Sequence, residues 1–354
     1  MLDINDLLMQ VLERKASDLH ITAGTPPMVR VHGDLQALDY PKLTPNDTKE
    51  LIYSILTQDQ REQLERNWEY DFSYGLTGHA RFRVNAYYQR SSVSAAFRII
   101  PVEIKSLDDL GLPQSLELLV RRPRGLVLVT GPTGSGKSTT LATLLNIINE
   151  NRSFHIITIE DPIEYLHTHK QSIVNQREVG SDTKSFANAL KYVLRQDPDV
   201  ILVGEMRDME TISAALTAAE TGHLVFSTLH TQDAPQTIDR IIDVFPPHQQ
   251  QQIRIQLAGT LQGIVCQQLL PTVDGAGRCV AYEILMPTPG VRNMIREAKT
   301  HQIYNAMQTG SKHGMVTMDQ CLADLHRYGK ITFEMAVQKA SDPNDLRQLL
   351  GRTA

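Results

Sequence analysis

Apolar residues recur along this chain in two rhythms, and the change between them falls near residue 125. Leu7, Leu8, Val11 and Leu12 mark one face of a helix within Leu2–Lys15. Asp18–Thr22 reads as a strand, Pro26 and Pro27 interrupt it, Met28–Val31 resumes extended structure, and His32-Gly33-Asp34 suits a turn. Thr44-Pro45 supplies a cap and a first-turn proline for a second helix carrying Leu51, Ile52, Ile55 and Leu56. Phe82, Val84 and Ala86 alternate with Arg81, Arg83 and Asn85, so residues 79–100 predict a half-buried antiparallel hairpin. Residues 1–101 thus read as a small α+β domain.

Pro101, Gly111, Pro113 and Pro123 then punctuate a charged stretch with one short helix, and 102–124 reads as an interdomain linker. Past Gly125 the alternation stops. Leu126–Thr130, Phe154–Ile159, Val200–Val203 and Leu224–Ser227 are continuous apolar runs separated by helical stretches, as parallel strands covered on both faces require. Residues 125–354 therefore form an α/β domain. Its last hundred residues predict mainly helix, with Ile253, Leu257, Leu261, Ile264 and Val265 on one helical face.

Composition narrows the classes. The 354 residues are 41% hydrophobic and 21% charged, enough apolar material to exclude a disordered chain. The net charge of −5, a single tryptophan and the lack of a basic-aromatic stripe argue against a nucleic-acid motor. Cys266, Cys279 and Cys321 are far apart and form neither a disulfide framework nor a four-cysteine zinc site, which suits a reducing compartment. The N-terminus lacks a secretory signal and no stretch reaches a membrane-spanning length, so a cytoplasmic protein is expected.

The chemistry is concentrated at a few strand ends. Residues 126–139 give a strand, then Gly131-Pro132-Thr133-Gly134-Ser135-Gly136-Lys137-Ser138-Thr139, then a helix. Glycines at 131, 134 and 136 permit the tight path that turns backbone N–H groups toward a phosphate chain. Lys137 reaches the terminal phosphates and the Ser138 hydroxyl can ligate Mg²⁺, so ATP and Mg²⁺ are the expected ligands. Val200–Val203 leads to Glu205 at a carboxyl strand edge, where it can polarise the attacking water, hold the Mg²⁺ shell, or both. Phe154–Ile159 leads to Glu160, Asp161 and Glu164, and Glu164 is the second candidate base. His223 precedes the Leu224–Ser227 strand and His230 follows it, where His230 can hydrogen-bond a γ-phosphate and report its loss; both histidines are candidates.

Together these motifs resemble the secretion and pilus ATPase superfamily, and within it the type IV pilus retraction motors. Gly131–Ser138 is the phosphate loop, Thr158–Glu164 is similar to the family's acidic box, and Leu202–Asp208 to its second nucleotide motif. Thr221–Thr231 is similar to its histidine box, and Gly290–Glu297 to the retraction motors' C-terminal signature with three small or apolar exchanges. The resemblance runs from Met1 to about Tyr328. It implies a PAS-like N-terminal domain, a RecA-like P-loop ATPase core and a homo-oligomeric ring of six subunits. It also implies rotation driven by ATP that extracts pilin through an inner-membrane platform protein, from the cytoplasmic face of that membrane. An accessory retraction ATPase is a possible partner, and it is also the nearest alternative identity. Extension and type II secretion ATPases usually carry a further N-terminal domain and a tetracysteine insertion, both missing here, so retraction is favoured over extension.

A ring ATPase of this kind brings cationic groups to the γ-phosphate when its domains close. The N-terminal hairpin offers them in Arg83 and Arg98. The signature helix places Val291, Met294 and Ile295 on one side and Arg292 and Arg296 on another, and the resemblance implies a role in retraction beyond hydrolysis.

Overall fold

A computed structural model describes residues 2–76, 78–100, 103–275 and 277–351. They group into two units, residues 1–103 with Pro162–Leu166, and Ile104–Asp161 with His167–Ala354. Each unit has its own apolar core.

The first unit holds strands β1 (Asp18–Ile21), β2 (Met28–Val31), β3 (Asp34–Ala37), β4 (Glu69–Leu76), β5 (Ala80–Gln89) and β6 (Ser92–Ile100). They form an antiparallel sheet in the order β3-β2-β1-β6-β5-β4. The alternation on β5 works as read: Phe82, Val84 and Ala86 are fully buried, while Arg83 faces solvent. The helix Ile4–Glu13 is capped by Asp3 and buries Ile4, Leu7, Leu8 and Val11. Thr44 and Asp47 close a reciprocal capping box on the helix Pro45–Ser54. Strands β3 and β4 add an outer strand at each end of the expected set.

In the second unit the strands are β7 (Gly125–Thr130), β8 (His155–Glu160), β9 (Ile173–Glu178), β10 (Val200–Val203), β11 (Leu224–Leu229), β12 (Leu261–Pro271) and β13 (Arg278–Leu285). Their order is β13-β12-β7-β11-β10-β8-β9, parallel throughout except for the edge strand β13. β7, β10 and β11 are buried at every residue, which is why their runs show no alternation. This is the RecA-like core. Because β7 lies between β12 and β11, the loop that follows it opens at the point where the strand order turns back, the usual ligand crevice of such sheets.

Two expectations are corrected. Leu261, Ile264 and Val265 lie on strand β12, not on a helix, and the helix ends at Thr260. β12 inserts between β7 and β13 and so is buried on both faces over most of its length, a pattern that periodicity alone cannot separate from a buried helix. The stretch read as a linker is also not a free tether. Leu107, Leu112, Leu116, Leu119 and Val120 are buried in the second unit's core, and the division between units falls at Glu103. Pro101, where the sequence places that joint, lies outside the described residues.

Candidate nucleotide site

The phosphate loop is shaped by its glycines. Gly131, Gly134 and Gly136 have φ values of 141°, 78° and 89°, a region that side-chain-bearing residues avoid. At Gly131 space forbids a side chain as well, since a Cβ would stand 2.1 Å from the Gln267 carbonyl oxygen. Gly136 is the N-cap of the helix Lys137–Asn151 and supplies no side-chain cap, so the helix begins directly at the loop with its positive dipole end. Lys137 Nζ donates to the Gly131 and Pro132 carbonyls at 2.9 and 3.0 Å, which holds the ammonium across the mouth of the loop. Pro132, Thr133 and Gly134 are exposed, Ser138 and Thr139 are half-buried, and Ser135 is buried.

Parallel strands deliver their carboxyl ends to one edge, and the remaining groups arrive there with them. Gly204 N donates to the Ile159 carbonyl and Met206 N to the Thr228 carbonyl, so the backbone stays stitched to its neighbours past the end of β10. This holds Glu205 at the edge with 17% of its side chain exposed. His230 Nε2 lies 3.5 Å from Glu205 Oε2, so the structure brings these two candidates together. Arg207, which the sequence reading passed over, is closer still, with Nε 2.7 Å from the same oxygen. β11 separates β10 from β7, which sets the Glu205 strand two strand spacings, about 10 Å, from the strand that carries the loop.

Glu160 ends β8, where Thr158 Oγ1 and Gln176 Nε2 donate to its Oε1 at 2.6 and 3.2 Å. The amide oxygen of the same Gln176 accepts from His167 N at 2.8 Å. One glutamine on β9 thus pins both ends of the excursion that carries Glu164. Glu164 is exposed and groups with the first unit.

His223 does not lie at this edge of its own chain. It sits at the amino end of β11, its carbonyl accepting from Gly125 N, while the loop follows the carboxyl end of β7. Six strand residues, about 20 Å, separate the two ends. Its Nδ1 instead meets the Ala218 carbonyl at 3.0 Å near the end of the helix Met209–Glu220. In the first unit, Arg83 and Arg98 are direct cross-strand partners on β5 and β6, both exposed. Arg98 Nε binds Asp18 Oδ1 at 2.8 Å. Burial works to raise the Asp18 pKa, but hydrogen bonds from Ser17 and Arg98 outweigh it and hold the carboxyl below its ordinary value.

Gln267 is the other residue that sequence reasoning missed. It is 3% exposed and touches the loop through side chain and backbone alike. The sequence does not single it out, since Leu261–Leu270 carries three glutamines, Gln262, Gln267 and Gln268, and only burial marks Gln267 as the informative one.

The residues present fit a nucleotide phosphate: a cradle that a Cβ would fill at Gly131, an ammonium poised at its mouth, a half-buried hydroxyl at Ser138, and a carboxylate two strands away. A loop of this form at the switch point of a RecA-like sheet defines a P-loop ATPase. The family model described as Type II/IV secretion system protein matches residues 1–324. The type IV pilus retraction ATPase PilT of Pseudomonas aeruginosa is 50% identical over 344 residues, 97% of this chain and 100% of the relative. The type IV pilus ATPase PilU of the same organism is 43% identical over 349 residues, 99% of this chain and 91% of the relative. A crystal structure of the pilus retraction motor PilT with bound ADP superposes with a TM-score of 0.90 at 54% identity, over 98% of this chain and 100% of that one. The chain belongs to the Type II/IV secretion system protein family, in which its relatives place it among the pilus retraction ATPases.

Proposed function

We propose that this chain hydrolyses MgATP as a subunit of a hexameric ring and that the cycle drives type IV pilus retraction, as the names of its relatives state for them. The observation that carries the reading is the shared strand edge, which bears Lys137 and the phosphate loop after β7 and the paired Glu205 and His230 after β10 and β11.

Phosphoryl transfer needs little covalent chemistry from the protein, so positioning and charge do the work. The loop amides and Lys137 bind and orient the phosphates. Ser138 and Glu205 would hold Mg²⁺, and the ion, when bound, spreads the charge of the β- and γ-phosphates. Glu205 takes the proton of the attacking water, with Glu164 as the alternative base on the excursion that follows β8. His230, already beside Glu205, reads the presence of the γ-phosphate. Arg83 and Arg98 of a neighbouring subunit complete the charge stabilisation on closure. Among the described residues no helix is long and apolar enough to cross a membrane. In this reading the ring docks on an inner-membrane platform protein from the cytoplasmic side, with an accessory retraction ATPase as a companion.

The test is Mg²⁺-dependent ATPase activity of the purified protein beside Lys137→Ala and Glu205→Ala, with native mass recorded on the same samples. Turnover by a hexamer, lost in both variants, supports the motor. Nucleotide binding by the unaltered protein without turnover overturns it in favour of an accessory subunit.

A further inference from the structure

The phosphate loop is not self-supporting. Gln267 follows Cys266, which pairs with Thr130, so it lies beside the first loop residue on the neighbouring strand β12. Its Nε2 donates to the Ser135 carbonyl at 2.8 Å, and its Oε1 accepts from Thr140 Oγ1 at 2.9 Å. Both bonds are buried. The amide therefore ties the turn of the loop to the first turn of the helix behind it. The Gln267 backbone carbonyl fills the space where a Gly131 side chain would be, and its Nε2 stands 3.1 Å from the position of a Gly136 Cβ.

The consequence is directional. In a trans peptide the carbonyl and the following N–H point opposite ways. With the Ser135 carbonyl held against Gln267 in the interior, the Gly136 N–H is turned outward, toward the concave side where an anion sits. From this geometry we infer that Gln267 is a positioning residue for nucleotide binding, which holds the Ser135–Gly136 peptide in the orientation that binds phosphate. Gln267 touches no phosphate itself. The inference rests on the nucleotide-site reading and deepens it by naming what preorganises the loop.

A carboxyl in place of the amide supplies a specific test. Ionised, it presents acceptors only, so it repels the Ser135 carbonyl and places negative charge beneath the phosphates. Protonated, it again offers one donor and one acceptor and reproduces the amide pair. Buried carboxyls protonate at higher pH than free ones, so the change falls in an accessible range. The experiment measures the Kd of MgADP by calorimetry for the unaltered protein and Gln267→Glu between about pH 5.5 and pH 8.5. The expected result is binding weakened about tenfold or more at the alkaline end, with the variant-to-parent ratio falling to within about threefold at the acid end. A ratio near one throughout, or a loss that does not change with pH, overturns the inference while leaving the nucleotide site intact. Absence of MgADP binding by the unaltered protein overturns the site reading instead. Should Gln267→Glu fail to fold, Gln267→Met keeps the volume without either hydrogen bond. It is expected to weaken MgADP about tenfold at every pH, and parental affinity in that folded variant overturns the inference.

Discussion

Arg207 Nε lies 2.7 Å from Oε2 of Glu205, nearer than His230 Nε2 at 3.5 Å, so the carboxylate at the end of β10 is held by a cation of its own loop. Arg207 is the more exposed partner, at 73% against 17% for Glu205. That pairing fixes the position of the carboxylate, and the solvent-facing arginine can release it at little cost. Glu205→Gln is expected to retain nucleotide binding and to lose hydrolysis by about 10²–10⁴-fold. A single-turnover assay with an ATP-binding measurement on the same variant checks it, and unaltered turnover would return the base role to Glu164.

The two histidines separate cleanly. His230→Ala is expected to reduce hydrolysis because it borders Glu205. His223→Ala should leave hydrolysis intact and lose the ring's contacts with the Ala218 carbonyl and the Thr221 hydroxyl, about 1 kcal/mol of stability. Paired ATPase and thermal-melting measurements decide, and a large rate loss in His223→Ala with unchanged melting would contradict the placement on one chain's site.

Arg83 and Arg98 face each other across β5 and β6 as like charges, a pairing that costs stability. Only Arg98 has Asp18 beside it, and Asp18 is the buried member. Arg83→Ala is therefore expected to leave stability unchanged or raise it by a few tenths of a kcal/mol while slowing ATP turnover. Arg98→Ala should slow turnover and also destabilise, by about 1–3 kcal/mol, because it strips the cation from a buried carboxylate. Denaturant melts beside steady-state rates test the asymmetry.

Glu283 on β13 is buried, with Ala234 N and Met318 N donating to its two oxygens at the starts of two helices. Burial, with Asp233 and Asp319 nearby, raises its pKa from 4.5 to about 7 against the pull of those donors. A raised folded pKa means that the fold favours the protonated acid. Its contribution is complete below pH 4.5 and disappears as pH rises through about 7. Glu283→Gln should flatten the decline of melting temperature across that window and make the protein more stable than the parent at alkaline pH, by about 3 kcal/mol at most. A parent-like pH profile in the variant would refute this.

In the signature helix Pro289–Arg296 the arginines are not equivalent. Arg292 donates to the Ala258 and Gly259 carbonyls and so caps the helix Pro247–Thr260, and burial together with Arg122 and Arg296 lowers its pKa. Arg296 is exposed and donates to Asn293 at 3.2 Å. Arg292→Ala is expected to lower the melting temperature by about 2–4 °C. Arg296→Ala should leave melting and hydrolysis unchanged while impairing pilus retraction in cells. Parallel loss of hydrolysis in Arg296→Ala would remove the separate retraction role.

Much of the site is legible in the linear chain because its parts are either local or delivered by a rule. The loop, Lys137 and Ser138 occupy consecutive residues between a strand and a helix, and backbone geometry requires glycines there whatever surrounds them. Glu205 and His230 meet because parallel strands end at one edge, so finding the strands suffices to place both. His223 shows the complement of that rule: a residue before such a strand is carried to the opposite edge.

Pairing across distant segments is what only the folded chain decides. Leu261–Pro271 carries apolar residues that serve a helix or a strand equally well, and the choice is made by β7 and β13, which hydrogen-bond it on both sides. Gln267 has no motif, and it acquires a role only because that pairing seats its amide under Ser135 and beside Thr140. The same holds for Arg98 against Asp18, 80 residues apart in sequence. Local backbone constraint writes itself into neighbouring letters, whereas a buried hydrogen bond between strands depends on register and burial, which exist only once the sheet has formed.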